Sequence, residues 1–150
     1  MLKKLIPYKD WNGVDRKENF YFNLTKTELI EMELSTTGGM RELLRTIMEK
    51  QDIPKLMKAF KEIILKAYGE KSADGRVFNK SPELSSAFEH SPAYDVLYLE
   101  LINDANAAAK FITDIMPEDM RDNIDPEKAL TPIDKVAKEE VADAALTTGN

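Results

Sequence analysis

The stretch from Phe20 to Leu29 constrains this chain more than any other. Phe20, Phe22 and Leu24 alternate with Tyr21 and Asn23, which is the period of a half-buried strand. Thr25-Lys26-Thr27-Glu28 follows at once and reads as a helix start. In such a start the threonine hydroxyl accepts the backbone N–H of the glutamate, and the glutamate reaches back to the N–H of the threonine. A strand is thereby welded to a helix with almost no linker, and aromatic side chains crowd the weld.

Upstream, Asn12-Gly13 is a strong two-residue hairpin signal, since a type I′ turn needs positive φ at both central positions. Leu5 to Asp10 is expected as the first strand and Val14 to Asn23 as the second. Pro7 has no N–H to give, which places the first strand at a sheet edge. The charged run Asp15-Arg16-Lys17-Glu18-Asn19 predicts an exposed or irregular beginning to the second strand. A hairpin alone is marginal in water, so it must pack against helices or pair with another chain.

Helical periodicity dominates the remainder. A first helix is expected from Lys26 to Leu34, broken by Ser35-Thr36-Thr37-Gly38-Gly39. A second, from Gly39 to Lys50, carries Met40, Leu43, Leu44, Ile47 and Met48 as one apolar stripe. A third begins with Asp52 as cap and Pro54 in its first turn. Its stripe runs through Ile53, Leu56, Met57, Phe60, Ile63, Ile64 and Ala67 to Tyr68, and Gly69 is expected to close it in the left-handed conformation. Asp74-Gly75 marks another turn. Ser81-Pro82 and Ser91-Pro92 both pair an N-cap serine with a proline at the first helical position. The first opens a short helix to Phe88. The second opens the longest apolar pattern, Pro92 to Met116, with Asn103-Asp104 able to cap a break inside it and Pro117 ending it. Pro117 to Pro126 reads as a linker. A weak stripe of Ile133, Val136, Ala137 and Val141 makes a final helix that needs a partner to stay formed. The fold class is therefore mainly α, in an α+β sense. Residues 1–116 form a helical domain with an N-terminal β-hairpin, and residues 117–150 an acidic extension.

Composition limits the chemistry. With 150 residues the chain can bury about 70% of its unfolded surface and needs no metal or disulfide to fold. It contains no cysteine, which removes thiolate nucleophiles and cysteine-based zinc sites. The net charge of −6 is uneven: residues 117–150 carry −5 and residues 1–116 only −1. Nucleic acid is a poor partner for such a chain, because duplex binding rests on clustered lysine and arginine. No run approaches the ~20 apolar residues that span a bilayer, and the N-terminus lacks a signal-peptide pattern. A cytoplasmic location and no membrane partner are expected.

No constellation of catalytic type stands out. His90 is the only histidine and sits between two helical segments, where it reads as a surface residue near a helix C-terminus. Gly38-Gly39 lacks the surroundings of a phosphate-binding loop. Lys55, Lys58, Lys61 and Lys66 form a basic stripe on the third helix, interrupted by Glu62 and without interleaved aromatics, as on a solvated face. The neighbouring carboxylates Glu31/Glu33, Glu118/Asp119 and Glu139/Glu140 do not face each other on a helix. No catalytic residue, cofactor or metal site is predicted. Four hydrophobes fall off the apolar stripes instead: Tyr21, Leu65, Val96 and Leu99. These are the candidate partner-binding residues, since exposed apolar surface marks interaction sites.

Four segments in order carry a family likeness. They are Asn12 to Val14 with Phe20 to Leu29; Ile63 to Ser72; the Asp74-Gly75-Arg76 turn with Phe78; and Ala105 to Ala109 leading to Pro117. Together they resemble the tail assembly chaperones of long-tailed, siphovirus-like bacteriophages, over Tyr8 to Pro117. The resemblance implies a non-enzymatic assembly factor acting in the cytoplasm of the infected host. It would bind the tape measure protein, help bring tail tube subunits, and be absent from the mature virion. A frameshifted longer product often accompanies such proteins. Self-association through a hairpin edge is a further expectation. Two other readings stand beside this one: a structural virion protein, such as a tail-completion or connector subunit, and a small nucleic-acid-binding regulator using the lysine stripe.

Overall fold

A computed structural model describes residues 1–32, 37–49 and 53–121. The expectations for Leu34, Ser35, Thr36, Asp52 and everything beyond Arg121 lie outside those residues. The element order is β1 (Leu2–Lys9), β2 (Asp15–Phe22), α1 (Lys26–Glu31), α2 (Thr37–Glu49), α3 (Ile53–Ala67), β3 (Tyr68–Lys71), β4 (Phe78–Asn79), α4 (Pro82–Glu89), α5 (Pro92–Asn103), α6 (Ala105–Asp114) and α7 (Glu118–Arg121). The chain is mainly helical, with a four-stranded antiparallel sheet in the order β1-β2-β3-β4.

β1 is an edge strand, and Pro7 occupies it opposite Lys17. It begins at Leu2, three residues earlier than the apolar pattern indicated. Lys3 and Lys4 disguise that start, although Lys4 is accommodated by pairing with Glu100 of α5 at 3.2 Å. The charged half of β2 is exposed but regular, since β1 pairs with it throughout. The turn between them is longer than the two-residue form. Asp10 and Val14 close it, and the amide of Gly13, at φ 80°, donates to the Asp10 carbonyl at 2.9 Å. The Asp10 carboxylate binds the amides of Asn12 and Val14, each at 2.9 Å, so the side chain before the turn sets its length.

The weld after β2 is built as its residues dictate. The Thr25 hydroxyl accepts from the Glu28 amide at 3.1 Å, and the Glu28 carboxylate accepts from the Thr25 amide at 3.0 Å. Two more amides close helix ends: Asn23 donates to the Ala67 carbonyl at 2.9 Å and Leu24 to the Ile115 carbonyl at 2.8 Å. The last carbonyls of a helix have no partner within it, so the joint supplies one to α3 and one in the turn ending α6. Lys80 crosses the weld as well, reaching the Asn23 carbonyl at 2.5 Å and Glu28 at 2.6 Å.

Three helical expectations are corrected. Gly69 does not end α3 in a left-handed conformation. α3 runs straight into β3, where Gly69 faces Tyr21. Positive φ belongs to Gly13 and Gly75, the two turn glycines. Gly38 and Gly39 lie in the first turn of α2, not in a break before it. The break that Asn103-Asp104 could cap is present: the long pattern from Pro92 divides into α5 and α6 at Asp104, whose φ of −136° and ψ of 103° leave the helix while its carboxylate accepts from the amides of Asn106 and Ala107. Past Pro117, the linker pattern begins with a helical turn instead, held by Arg121 donating to the carbonyls of Met116 and Asp114 at 3.0 and 2.8 Å.

The core lies between the sheet and the helices. Ile6, Phe22, Leu24, Phe60, Phe88, Leu97, Phe111 and Ile112 are all buried there, and no polar residue among those described is. Aromatic rings join the layers: Tyr68 of β3 stacks on Phe88 of α4 with centroids 4.3 Å apart, and Phe22 meets Phe111 of α6 edge-on at 5.3 Å.

Candidate functional site

The face of interest is built on α5. Ser91 caps this helix and Pro92 starts it, and its buried stripe is Ala93, Leu97 and Leu101. The hairpin lies along it. At one end the Trp11 indole N–H donates to the His90 carbonyl at 3.2 Å, and at the other Lys4 pairs with Glu100 at 3.2 Å. With one face committed to the core, the opposite face carries Val96, 37% exposed, and Leu99, 49% exposed. Residues three and four apart are neighbours on a helix surface, so Val96, Leu99 and Ile102 form a row.

α3 extends that row. The Tyr98 hydroxyl donates to the Met57 carbonyl at 3.3 Å, and Ile53 and Ile102 line one small cleft between the helices. Ile53 is 44% exposed and Met57 39%. An apolar strip therefore crosses two helices, from Ile53 and Met57 over Tyr98 and Ile102 to Leu99 and Val96. The phenols of Tyr98 and of its stacked neighbour Tyr94 stay neutral at physiological pH. Burial first, and then the neighbouring Tyr98 hydroxyl and nearby acids, push Tyr94 up to about 12. Burial raises Tyr98 too, against a smaller opposing effect from Lys61.

The four residues singled out in the sequence do not converge. Val96 and Leu99 share the strip. Tyr21 lies on the outer face of the sheet, half-buried, with the Lys71 ammonium 5.8 Å from its ring centre. Leu65 is half-buried against the core, and Ser85 of α4 donates to its carbonyl at 3.0 Å. The sequence pattern puts Ile53 and Met57 on the apolar stripe of the third helix, and Tyr98 and Ile102 on that of the long pattern from Pro92, so all four read as core, whereas Ile53 and Met57 are exposed. They stand at the borders of apolar stripes, and a stripe's width reveals such residues only when the neighbouring helix is known.

The remaining candidates have ordinary places. His90 is the C-cap of α4 and exposed, with Nδ1 3.3 Å from the Ser86 hydroxyl. In the lysine stripe, Lys61 pairs with Glu89 at 2.8 Å and Lys66 with Glu31 at 3.3 Å, both carboxylates of the same chain. Among the described residues no group of three or more histidine, aspartate or glutamate side chains is placed to hold a metal ion, and no helix is long and apolar enough to cross a membrane.

An exposed apolar strip thus crosses two helices of a mainly helical body. The chain belongs to the phage tail assembly chaperone family, whose model matches residues 1–149. That match runs past Pro117, where the segment-by-segment likeness stopped, and takes in the acidic extension. No curated protein and no solved structure matches the chain.

Proposed function

We propose that this chaperone binds the tape measure protein during tail assembly, keeps it soluble until the tube polymerises around it, and helps deliver tube subunits. It makes and breaks no covalent bond. It works in the cytoplasm of the infected host and leaves before the virion is complete. The observation that carries the reading is the strip formed by Ile53, Met57, Leu99 and Val96, each more than a third exposed. An amphipathic helix lays its own apolar face into such a surface, with anchors three and four residues apart.

Co-expression with a fragment of the tape measure protein from the same phage tests this. The fragment is expected in the soluble fraction with the chaperone and in the pellet without it. A fragment equally insoluble in both cases overturns the proposal. Mature particles probed with an antibody to the chaperone separate it from a structural virion protein, which would remain in them.

A further inference from the structure

The sheet contains an unfilled place for a strand. β1 pairs with the whole of β2, but β3 pairs with it only at Tyr21 and Phe22. Along an antiparallel strand, successive residues turn their N–H and C=O to opposite sides. The Asp10 amide donates to the Val14 carbonyl, so Arg16, Glu18, Phe20 and Phe22 turn toward β1, and Lys17, Asn19 and Tyr21 turn away from it. Asn23, next in that second set, donates to Ala67 as the alternation requires. Tyr21 faces Gly69. Beyond that point β3 swings off to pair with β4, Glu70 opposite Asn79 and Lys71 opposite Phe78. The backbone groups of Lys17 and Asn19 are left on the open side of β2, where Asn19 lines a notch of about 450 Å³ and Lys17 lies next along the same edge.

The notch has its own chemistry. Phe20, Tyr68 and Phe88 form an aromatic floor. Glu18 and Glu70 stand on its walls, and neither makes a salt bridge among the described residues. Among the described residues the Glu18 carboxylate accepts from the Tyr8 hydroxyl. Burial chiefly, and then Glu70 and Glu18, raise the Tyr68 hydroxyl above its ordinary range, in keeping with a negative field over the floor.

We propose that this notch binds an extended segment of a partner polypeptide by strand addition to β2, with alternate apolar side chains on the aromatic floor and a lysine or arginine between Glu18 and Glu70. A helix satisfies its own backbone and has nothing to offer Lys17 and Asn19. An extended segment presents donors and acceptors at the repeat they require. The sheet's other open edge differs. Pro7 turns outward there with no N–H, flanked by the outward-turning Lys9, features that block strand pairing. The notch is separate from the α3–α5 strip, so either can fail alone.

The test uses the full chain, labelled for NMR, and an acetylated, amidated hexapeptide Val-Thr-Lys-Thr-Val-Thr. In the free chain the Lys17 and Asn19 amides are expected to exchange fast with solvent, and the peptide to slow both. Replacing the peptide's lysine by glutamate should weaken binding by about fivefold or more. Lys17→Pro should abolish binding and leave the unfolding curve in place, because position 17 gives no hydrogen bond to β1. Glu70→Lys provides a second variant that touches no backbone group, and should favour the glutamate peptide. Equal binding of both peptides overturns the proposal. So do slow exchange of Lys17 and Asn19 before any peptide is added, and a footprint at Val96 and Leu99 instead of the notch.

Discussion

Gly69 and Asn79 approach so closely that a methyl group at position 69 would stand 2.7 Å from the Asn79 carbonyl oxygen, and 2.9 Å from the Phe78 ring. The carbonyl is backbone and cannot swing aside without moving β4. Gly69→Ala is therefore expected to force β3 and β4 apart and destabilise the chain by about 1–3 kcal/mol. Urea unfolding reads this as a lower midpoint. An unchanged midpoint would remove the close approach as the reason for glycine here.

That glycine also marks how far the sequence was legible. The Thr25–Glu28 cap, the Ser81 and Ser91 helix starts and the Asp104 break rest on contacts within a few residues, and local patterns record such contacts. Gly69 reads locally as a helix end because glycine after a lysine and an apolar run commonly is one. Its actual reason is Asn79, brought over it by the Asp74-Gly75 turn. The strip has the same character. Val96 and Leu99 stand out on their own helix, whereas Ile53 and Met57 join them only because Tyr98 reaches the Met57 carbonyl. The charged half of β2 gives no sequence sign that one of its sides stays open, since that depends on where β3 turns away.

Glu28 ties the weld to α4 through Lys80, and both side chains are mostly shielded, at 16% and 21% exposure. Burial by itself would raise the Glu28 carboxyl. Hydrogen bonds from the Lys80 ammonium and the Thr25 amide outweigh it and hold the carboxyl below its ordinary range. Burial pushes Lys80 down, with Glu28 opposing. A carboxyl depressed in the folded chain stabilises it above the unfolded value of about 4.3, and that contribution disappears as pH falls through the folded value. Glu28→Gln should lose about 1–3 kcal/mol near neutral pH. Its stability should then vary less with pH on the acid side than that of the parent. Parallel acid limbs in urea midpoints against pH would show that Glu28 contributes nothing to that slope.

Phe88 holds the layers together. It is 3% exposed and meets Phe20, Phe22, Tyr68 and Tyr94, two of them on β2, one on β3 and one on α5. Phe88→Ala is expected to cost about 3–5 kcal/mol, since it removes both the buried area and the contacts of the ring. Phe88→Leu should keep most of the volume and lose less. Thermal unfolding followed by near-UV circular dichroism distinguishes them, with the tyrosine signal of the alanine variant weakened even below its midpoint. Equal losses in the two variants would argue that the stacked geometry has no part in holding α4 to the sheet.

Val96 and Leu99 offer the opposite case, large apolar side chains whose removal should not disturb the fold. Both face outward from a helix whose other face supplies Ala93, Leu97 and Leu101 to the core. Substitutions away from the core usually change stability by less than about 0.5 kcal/mol. Val96→Ser with Leu99→Ser is therefore expected to leave the unfolding midpoint in place while reducing capture of a soluble tape measure fragment by about tenfold or more, given that a few anchors carry most of an interface's energy. A matched substitution at Glu83, exposed on α4 and away from the strip, should bind as the parent does. Undiminished capture by the serine variant would move the binding surface off α5. A fall in stability equal to the fall in capture would make the loss one of folding, and the strip would then have no claim as a docking face.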